Sequence, residues 1–162
     1  MKMFFPMMID IEQMKVLIVG GGKIAYRKYN NVAMYVNNIT IVAKSFNESF
    51  LKEEFLKDNN NVKLLEKGFE LSDLDGYDMV YAATDDRALN MAISEHCHSK
   101  KILVNSVDNH ENSSFINMGI FDCEIDDEKV LIGVSCQGKN PKLVKAIKYQ
   151  LEEYFASRRE KR

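Results

Sequence analysis

KVLIVGGGKIA, residues 15–25, carries a short apolar run straight into three glycines and then into a helical pattern. Lys15–Val19 is β-branched and apolar at nearly every position, as a strand covered on both faces must be. Beyond the glycines, Ile24, Ala25, Lys28, Val32, Ala33 and Val36 recur at helical spacing. Gly20-x-Gly22-x-x-Ala25 thus sits between a strand and a helix, the context in which such a turn binds a dinucleotide. Gly20 permits the tight turn, Gly22 lets a pyrophosphate approach the backbone, and Ala25 lets the helix pack closely on the strand. The first free amides of the helix, on Lys23 and Ile24, then point at an anion and are aided by the helix dipole. The alternative is a tight turn that holds nothing. Three adjacent glycines carry an entropic cost that a plain turn has no need of.

Outward from this turn, strands and helices alternate. Ile39–Ala43 is a second buried strand, and Phe46–Lys57 reads as a helix with Phe46, Phe50, Phe55 and Leu56 facing inward. Val62–Leu65, Met79–Ala83 and Ile102–Val107 read as further strands, with a helix over Asp86–Ser99. This rhythm predicts an α/β fold: a Rossmann-like, mostly parallel sheet with helices on both faces. After residue 112 the rhythm changes. Phe115–Phe121 and Val130–Val134 are strands with only an Asp126-Asp127 turn between them, and a helix runs from Pro141 to about Ser157. Strands joined so closely cannot form a parallel crossover. Residues 1–112 are therefore expected to form the dinucleotide-binding domain. Residues 113–162 are expected to form a small α+β segment for dimerisation or substrate contact.

Composition narrows the classes. The 162 residues are 46% apolar and 28% charged, as in a globular protein. A net charge of −2 argues against a general nucleic-acid binder, which needs a basic face. No apolar run approaches the ~20 residues that span a bilayer, and no signal-peptide pattern opens the chain. Cys97, Cys123 and Cys136 are odd in number and lack CxxC spacing, which fits a reducing cytoplasm.

Polar residues at the strand ends are the candidate site. Lys44 and Ser45 stand where many NAD folds carry an acidic ribose ligand, so these residues do not choose between NAD and NADP. Asp108 follows the fifth strand at the carboxyl edge, where such sheets bind ligands; the lesser alternative is an Asx turn beside Asn109. Asp85 and Asp86 open a helix, so at least one is expected to cap it. His96, Cys97 and His98 point about 100° apart on a helix and cannot converge on one metal ion. No metal site is expected. His110 is either a loop residue or, less in keeping with its place, a second proton carrier or a transient iron ligand. Ser135 and Lys139 flank a loop ahead of Asn140-Pro141, a favourable helix start. They are the expected substrate contacts. Residues 139–162 carry a net +5 against −7 for the rest, which would draw a polyanion.

Several stretches together resemble the precorrin-2 dehydrogenase domain of siroheme synthases: Phe5–Lys28, AATDDRALN (82–90), VNSVD (104–108), Phe115-Ile116 and VSCQGKNP (134–141). They cover nearly the whole chain in the family's order. The resemblance implies oxidation of precorrin-2 to sirohydrochlorin with NAD in the cytoplasm, and a homodimer. In some members it also implies insertion of ferrous iron. It implies that Gly20, Gly22, Lys23 and Ile24 contact the cofactor's phosphates, Lys44 and Ser45 its adenosine ribose, and Thr84 the cofactor loop. It makes Asp108 catalytic, as acceptor of the one proton that accompanies hydride transfer. This chain departs from the family in reading Ser135-Cys136-Gln137-Gly138 where a hydroxyl pair precedes Gly-Gly, and in having Met118 where a proline is common. The rival expectation is a non-catalytic dinucleotide-sensing or tetrapyrrole-carrying module.

Overall fold

The computed structural model describes residues 2–52, 55, 61–125 and 128–159. They divide into two compact units, Phe5–Phe115 and a second made of Ile116 onward with the first residues up to Phe4.

In the first unit, β1 (Lys15–Val19), β2 (Asn38–Ala43), β3 (Val62–Glu66), β4 (Met79–Ala82) and β5 (Leu103–Ser106) form one parallel sheet in the order β3-β2-β1-β4-β5. Among the described residues its α-helices include α1 (Lys23–Val32), α2 (Glu48–Leu51) and α3 (Arg87–Lys100). The chain builds outward from β1 through β2 to β3. It then returns to lay β4 on the other side of β1. This reversal makes the carboxyl ends of β1 and β4 the topological switch point of the sheet, the place where open α/β sheets bind ligands.

Alternation along the strands sorts the core into two layers. Val16 and Ile18 of β1, with Ile39, Ile41, Met79 and Tyr81, pack against Ala25, Tyr29 and Val32 of α1 and against Phe50 and Phe55. Leu17 and Val19, with Val42, Val80, Ala82 and Val104, pack against Ile93 and Cys97 of α3. Tyr29, Phe50 and Phe55 meet edge to face, with ring centroids 5.0–6.5 Å apart. The single helix expected over Phe46–Lys57 is interrupted: Glu48–Leu51 is helical, Lys52 is extended and Phe55 is helical again. Asn47 caps α2 by accepting from the Ser49 amide at 3.1 Å, and the extended backbone of Lys52 ends it after Leu51. Residues 53, 54 and 56–60, including the inward position expected for Leu56, lie outside the described residues.

In the second unit, β6 (Gly119–Ile125) and β7 (Glu128–Val134) pair antiparallel, followed by α4 (Pro141–Arg159). The Asp126-Asp127 turn lies outside the described residues. The expected strand from Phe115 starts instead at Gly119. Phe115 is claimed by the first unit, where its ring packs on Tyr81 at 5.4 Å and its carbonyl accepts from Asn105 at 2.9 Å. Asn140 caps α4 by accepting from the Leu143 amide at 3.0 Å, with Pro141 at the first helical position.

Lys28 occupies an unusual place for a cation, between α1 and the sheet. Its ammonium lies 5.4 Å from the centre of the buried Tyr81 ring. Burial, with the charge of Arg27 adding to it, brings its pKa down from 10.5 to about 8. Below pH 8 both folded and unfolded chains carry this proton, and the folded state bears the desolvation cost. Between pH 8 and about 10.5 the folded chain releases the proton while the unfolded chain keeps it, so this contribution to stability rises with pH. Lys28→Met is expected to raise the unfolding free energy at pH 7 by about 2 kcal/mol, with the gain fading toward pH 10. Urea unfolding of both proteins across that range checks this; a variant destabilised at pH 7 contradicts it.

Candidate dinucleotide site

The site begins where β1 ends. Gly20 adopts φ +123°, which a side chain resists. A Cβ there would also stand 2.3 Å from the Ala83 carbonyl oxygen, at the exit of β4. Gly21 has an ordinary φ but even less room, since a Cβ would stand 2.1 Å from the Ser45 carbonyl oxygen and 2.8 Å from the Ala43 side chain. Hydrogen bonds close the same corner: Gly20 N–H to Val42 O at 2.9 Å, Asn47 N–H to Gly21 O at 2.7 Å, and Ala83 N–H to Val19 O at 2.8 Å. The turn is thus wedged between the ends of β2 and β4.

Gly22 differs from both. Among the described residues nothing lies within 4 Å of the position its Cβ would take, and its backbone is extended. It is the N-cap of α1, with no side chain capping the helix and no acidic residue in the first turn. The amides of Lys23 and Ile24 open an exposed helix end where they have no carbonyl one turn back. Packing therefore explains Gly20 and Gly21 and leaves Gly22 unexplained. A bare backbone facing open space, ahead of uncapped amides, fits an anion that needs close approach. Ala25 is fully buried against the sheet, as a close helix–strand contact requires.

Lys44 and Ser45 follow β2 and are exposed on the loop that packs on Gly21. Thr84 follows β4. Its hydroxyl lies 2.7 Å from Asn90 Oδ1, which also accepts from the Thr84 amide at 3.2 Å, while Asn90 Nδ2 donates to the Thr84 carbonyl at 3.0 Å. Asn90 is fully buried and acts as a brace for this loop. Asp86 caps α3, accepting from the Ala88 and Leu89 amides at 2.9 and 3.1 Å.

Asp108 lies two residues beyond β5 at the same sheet edge and is exposed. It is not the Asx residue of its loop. Asn109 has that role, accepting from the Glu111 amide at 3.0 Å. Asp108 Oδ1 instead accepts from the hydroxyl of Ser106 at 2.6 Å. His110 Nε2 faces Glu111 at 3.5 Å. Asn90 and Ser106 are residues that sequence reasoning missed. A polar residue among the inward Leu89, Ala92 and Ile93 of α3 is the signal that could have found the first.

Ser135 and Lys139 belong to the second unit. Both are exposed, and the Ser135 hydroxyl accepts from the Gln137 amide at 3.1 Å. Gln137 takes φ +54°, which is unfavourable for a residue with a side chain. Its amide group grips the backbone of Phe4 at both ends, accepting from the N–H at 2.6 Å and donating to the carbonyl at 3.1 Å. Among the described residues no group of three or more His, Cys, Asp or Glu side chains could hold a metal ion, and no helix is long and apolar enough to cross a membrane.

A parallel sheet with its order reversed at β1, carrying a glycine turn into an uncapped helix, defines a dinucleotide-binding protein. Comparison with known proteins agrees: residues 7–118 match the model of a family described as putative NAD(P)-binding, and the chain belongs to that family. It is 36% identical over 149 residues to the siroheme synthases of Vesicomyosocius okutanii and Ruthia magnifica, covering 92% of this chain and 30% of each of those proteins. It is 34% identical over 155 residues to the siroheme synthase of Methylococcus capsulatus, covering 96% of this chain and 31% of that one. The chain thus spans less than a third of the length of these relatives. Among solved structures it shares the fold of SirC, a precorrin-2 dehydrogenase, with a TM-score of 0.76 and 24% identity over 94% of this chain and 71% of that one.

The contrast between the two neighbouring glycines is testable. Gly21→Ala is expected to lower the melting temperature by about 10 °C, since backbone must move to admit the methyl group. Gly22→Ala is expected to stay within about 3 °C of the parent while weakening NAD binding by about tenfold or more. Thermal melts and NAD titrations of both variants measure this. Unimpaired NAD binding by Gly22→Ala would contradict the assignment of the open corner.

Proposed function

We propose that this chain carries out the NAD-dependent dehydrogenation of precorrin-2 to sirohydrochlorin, a step of siroheme synthesis, in a reducing cytoplasm and as a homodimer. The observation that carries the reading is the open backbone at Gly22 ahead of the uncapped amides of Lys23 and Ile24, on a sheet whose carboxyl edge also bears Asp108. The likeness to siroheme synthases over nearly all of this chain supports the choice of substrate.

When bound, the nicotinamide cofactor supplies the hydride acceptor. Each remaining task falls to this chain. The amides of Gly22, Lys23 and Ile24 hold the pyrophosphate, and Lys44 and Ser45 reach the adenosine ribose. Thr84, braced by Asn90, shapes the loop beside the cofactor. Loss of a hydride from the macrocycle leaves one proton to be removed, and Asp108 takes it. Ser135 and Lys139 contact the carboxylates of the tetrapyrrole, for which the basic end of the chain provides attraction. Ferrous iron enters this reading only as a substrate of a later chelation, in which Asp108 or His110 would take protons from the macrocycle.

Appearance of NADH on mixing the protein with precorrin-2 and NAD tests the reading. The parent is expected to turn over. Asp108→Ala is expected to bind NAD with unchanged affinity and to lose about a hundredfold or more in kcat. Equal rates would remove Asp108 from the mechanism. NAD binding without turnover by the parent would favour a sensing or carrying module.

A further inference from the structure

Asp108 is held by a neighbour with no assigned role. Ser106, the last residue of β5, is buried. β5 is the edge of the sheet, so one side of its backbone lacks a partner strand. Serine side chains stand in for that strand. Ser113 Oγ accepts from the Ser106 amide at 2.8 Å, and Ser114 Oγ accepts from the Val104 amide at 2.7 Å. The Ser114 amide returns to the Val104 carbonyl at 2.7 Å, and Asn105 Nδ2 ties down Phe115 O. On the opposite side, the Val107 amide donates to Ala82 O at 3.1 Å. The loop carrying Asp108 therefore springs from a backbone fixed on both flanks. The Ser106 side chain is not spent on that anchoring; its hydroxyl donates to Asp108 Oδ1 at 2.6 Å.

We propose that Ser106 is a positioning residue for the dehydrogenation, holding one oxygen of Asp108 so that the other is presented to the substrate. The proposal rests on the reading of Asp108 as the proton acceptor. A hydroxyl donating to a carboxylate is short and directional. It selects one carboxylate rotamer where an exposed aspartate would otherwise sample several. A proton acceptor displaced by about an ångström loses much of its advantage. Ser106 is buried and spends its hydroxyl on Asp108, so its influence on the reaction is exerted through that carboxylate.

The test uses the full chain with saturating NAD. Steady-state rates are measured for the parent, Ser106→Ala, Ser106→Cys, Asp108→Ala and the Ser106→Ala/Asp108→Ala double variant. NAD affinity and melting temperature are recorded for each. Ser106→Ala is expected to lose about tenfold in kcat, with KM and NAD affinity within about twofold of the parent. Ser106→Cys keeps similar bulk with only a weak donor and is expected to follow it, which preserves the test if the alanine variant does not fold. In the Asp108→Ala background, Ser106→Ala is expected to have no further effect, because Ser106 acts only through Asp108. A parental kcat for both Ser106 variants alongside an impaired Asp108→Ala overturns this proposal alone. A further loss in the double variant, or a loss confined to KM, also overturns it. A parental rate for Asp108→Ala overturns the underlying reading.

Discussion

At two successive positions after β1, the chain has no space for a side chain. Gly20 is pressed against the exit of β4 and Gly21 against the loop after β2. Three strand ends are thereby drawn together around the start of α1, and the positions of Lys44, Ser45 and Thr84 follow from that closure. Lys44 and Ser45 are where they are because their loop packs on Gly21. Thr84 is where it is because β4 must leave past Gly20. The next residue, Gly22, faces open space, and there the helix begins without a cap. The crowding ends at Gly21, and Gly22 is the position at which an anion is proposed to approach.

Much of this could be read from the residues. Lys15–Val19 shows its double burial in its composition, and the glycines announce the crossover to α1. The parallel order follows from strands separated by helices. Other features could not be read. Gly21 is the most crowded of the three glycines, yet the spacing rule passes over it, because the clash comes from Ser45, which is distant in sequence. Phe115 looks like the start of a strand, but its ring completes the first unit's core beside Tyr81 and the strand begins at Gly119. The brace from Asn90 to Thr84 and the bond from Ser106 to Asp108 link polar residues that no periodicity marks. Such links depend on which groups the folded backbone leaves short of partners.

The loop before α4 shows how a departure from a family pattern can be tolerated. The resemblance leads one to expect a glycine at the position of Gln137, and the backbone here turns left-handed. The side chain that makes this unfavourable also grips both polar groups of Phe4, so a local penalty is offset by a contact spanning the chain. On the sheet side, the exposed edge of β5 is closed by serine hydroxyls rather than by another strand. That arrangement protects the edge and steadies the loop bearing Asp108 with the same few residues.

A crystal structure of the chain with NAD bound would test the central claim most directly. The account predicts pyrophosphate oxygens about 3 Å from the amide nitrogens at Gly22, Lys23 and Ile24, with the nicotinamide ring extending toward the carboxyl ends of β4 and β5. A dinucleotide seated elsewhere, with the start of α1 facing only water, would contradict it.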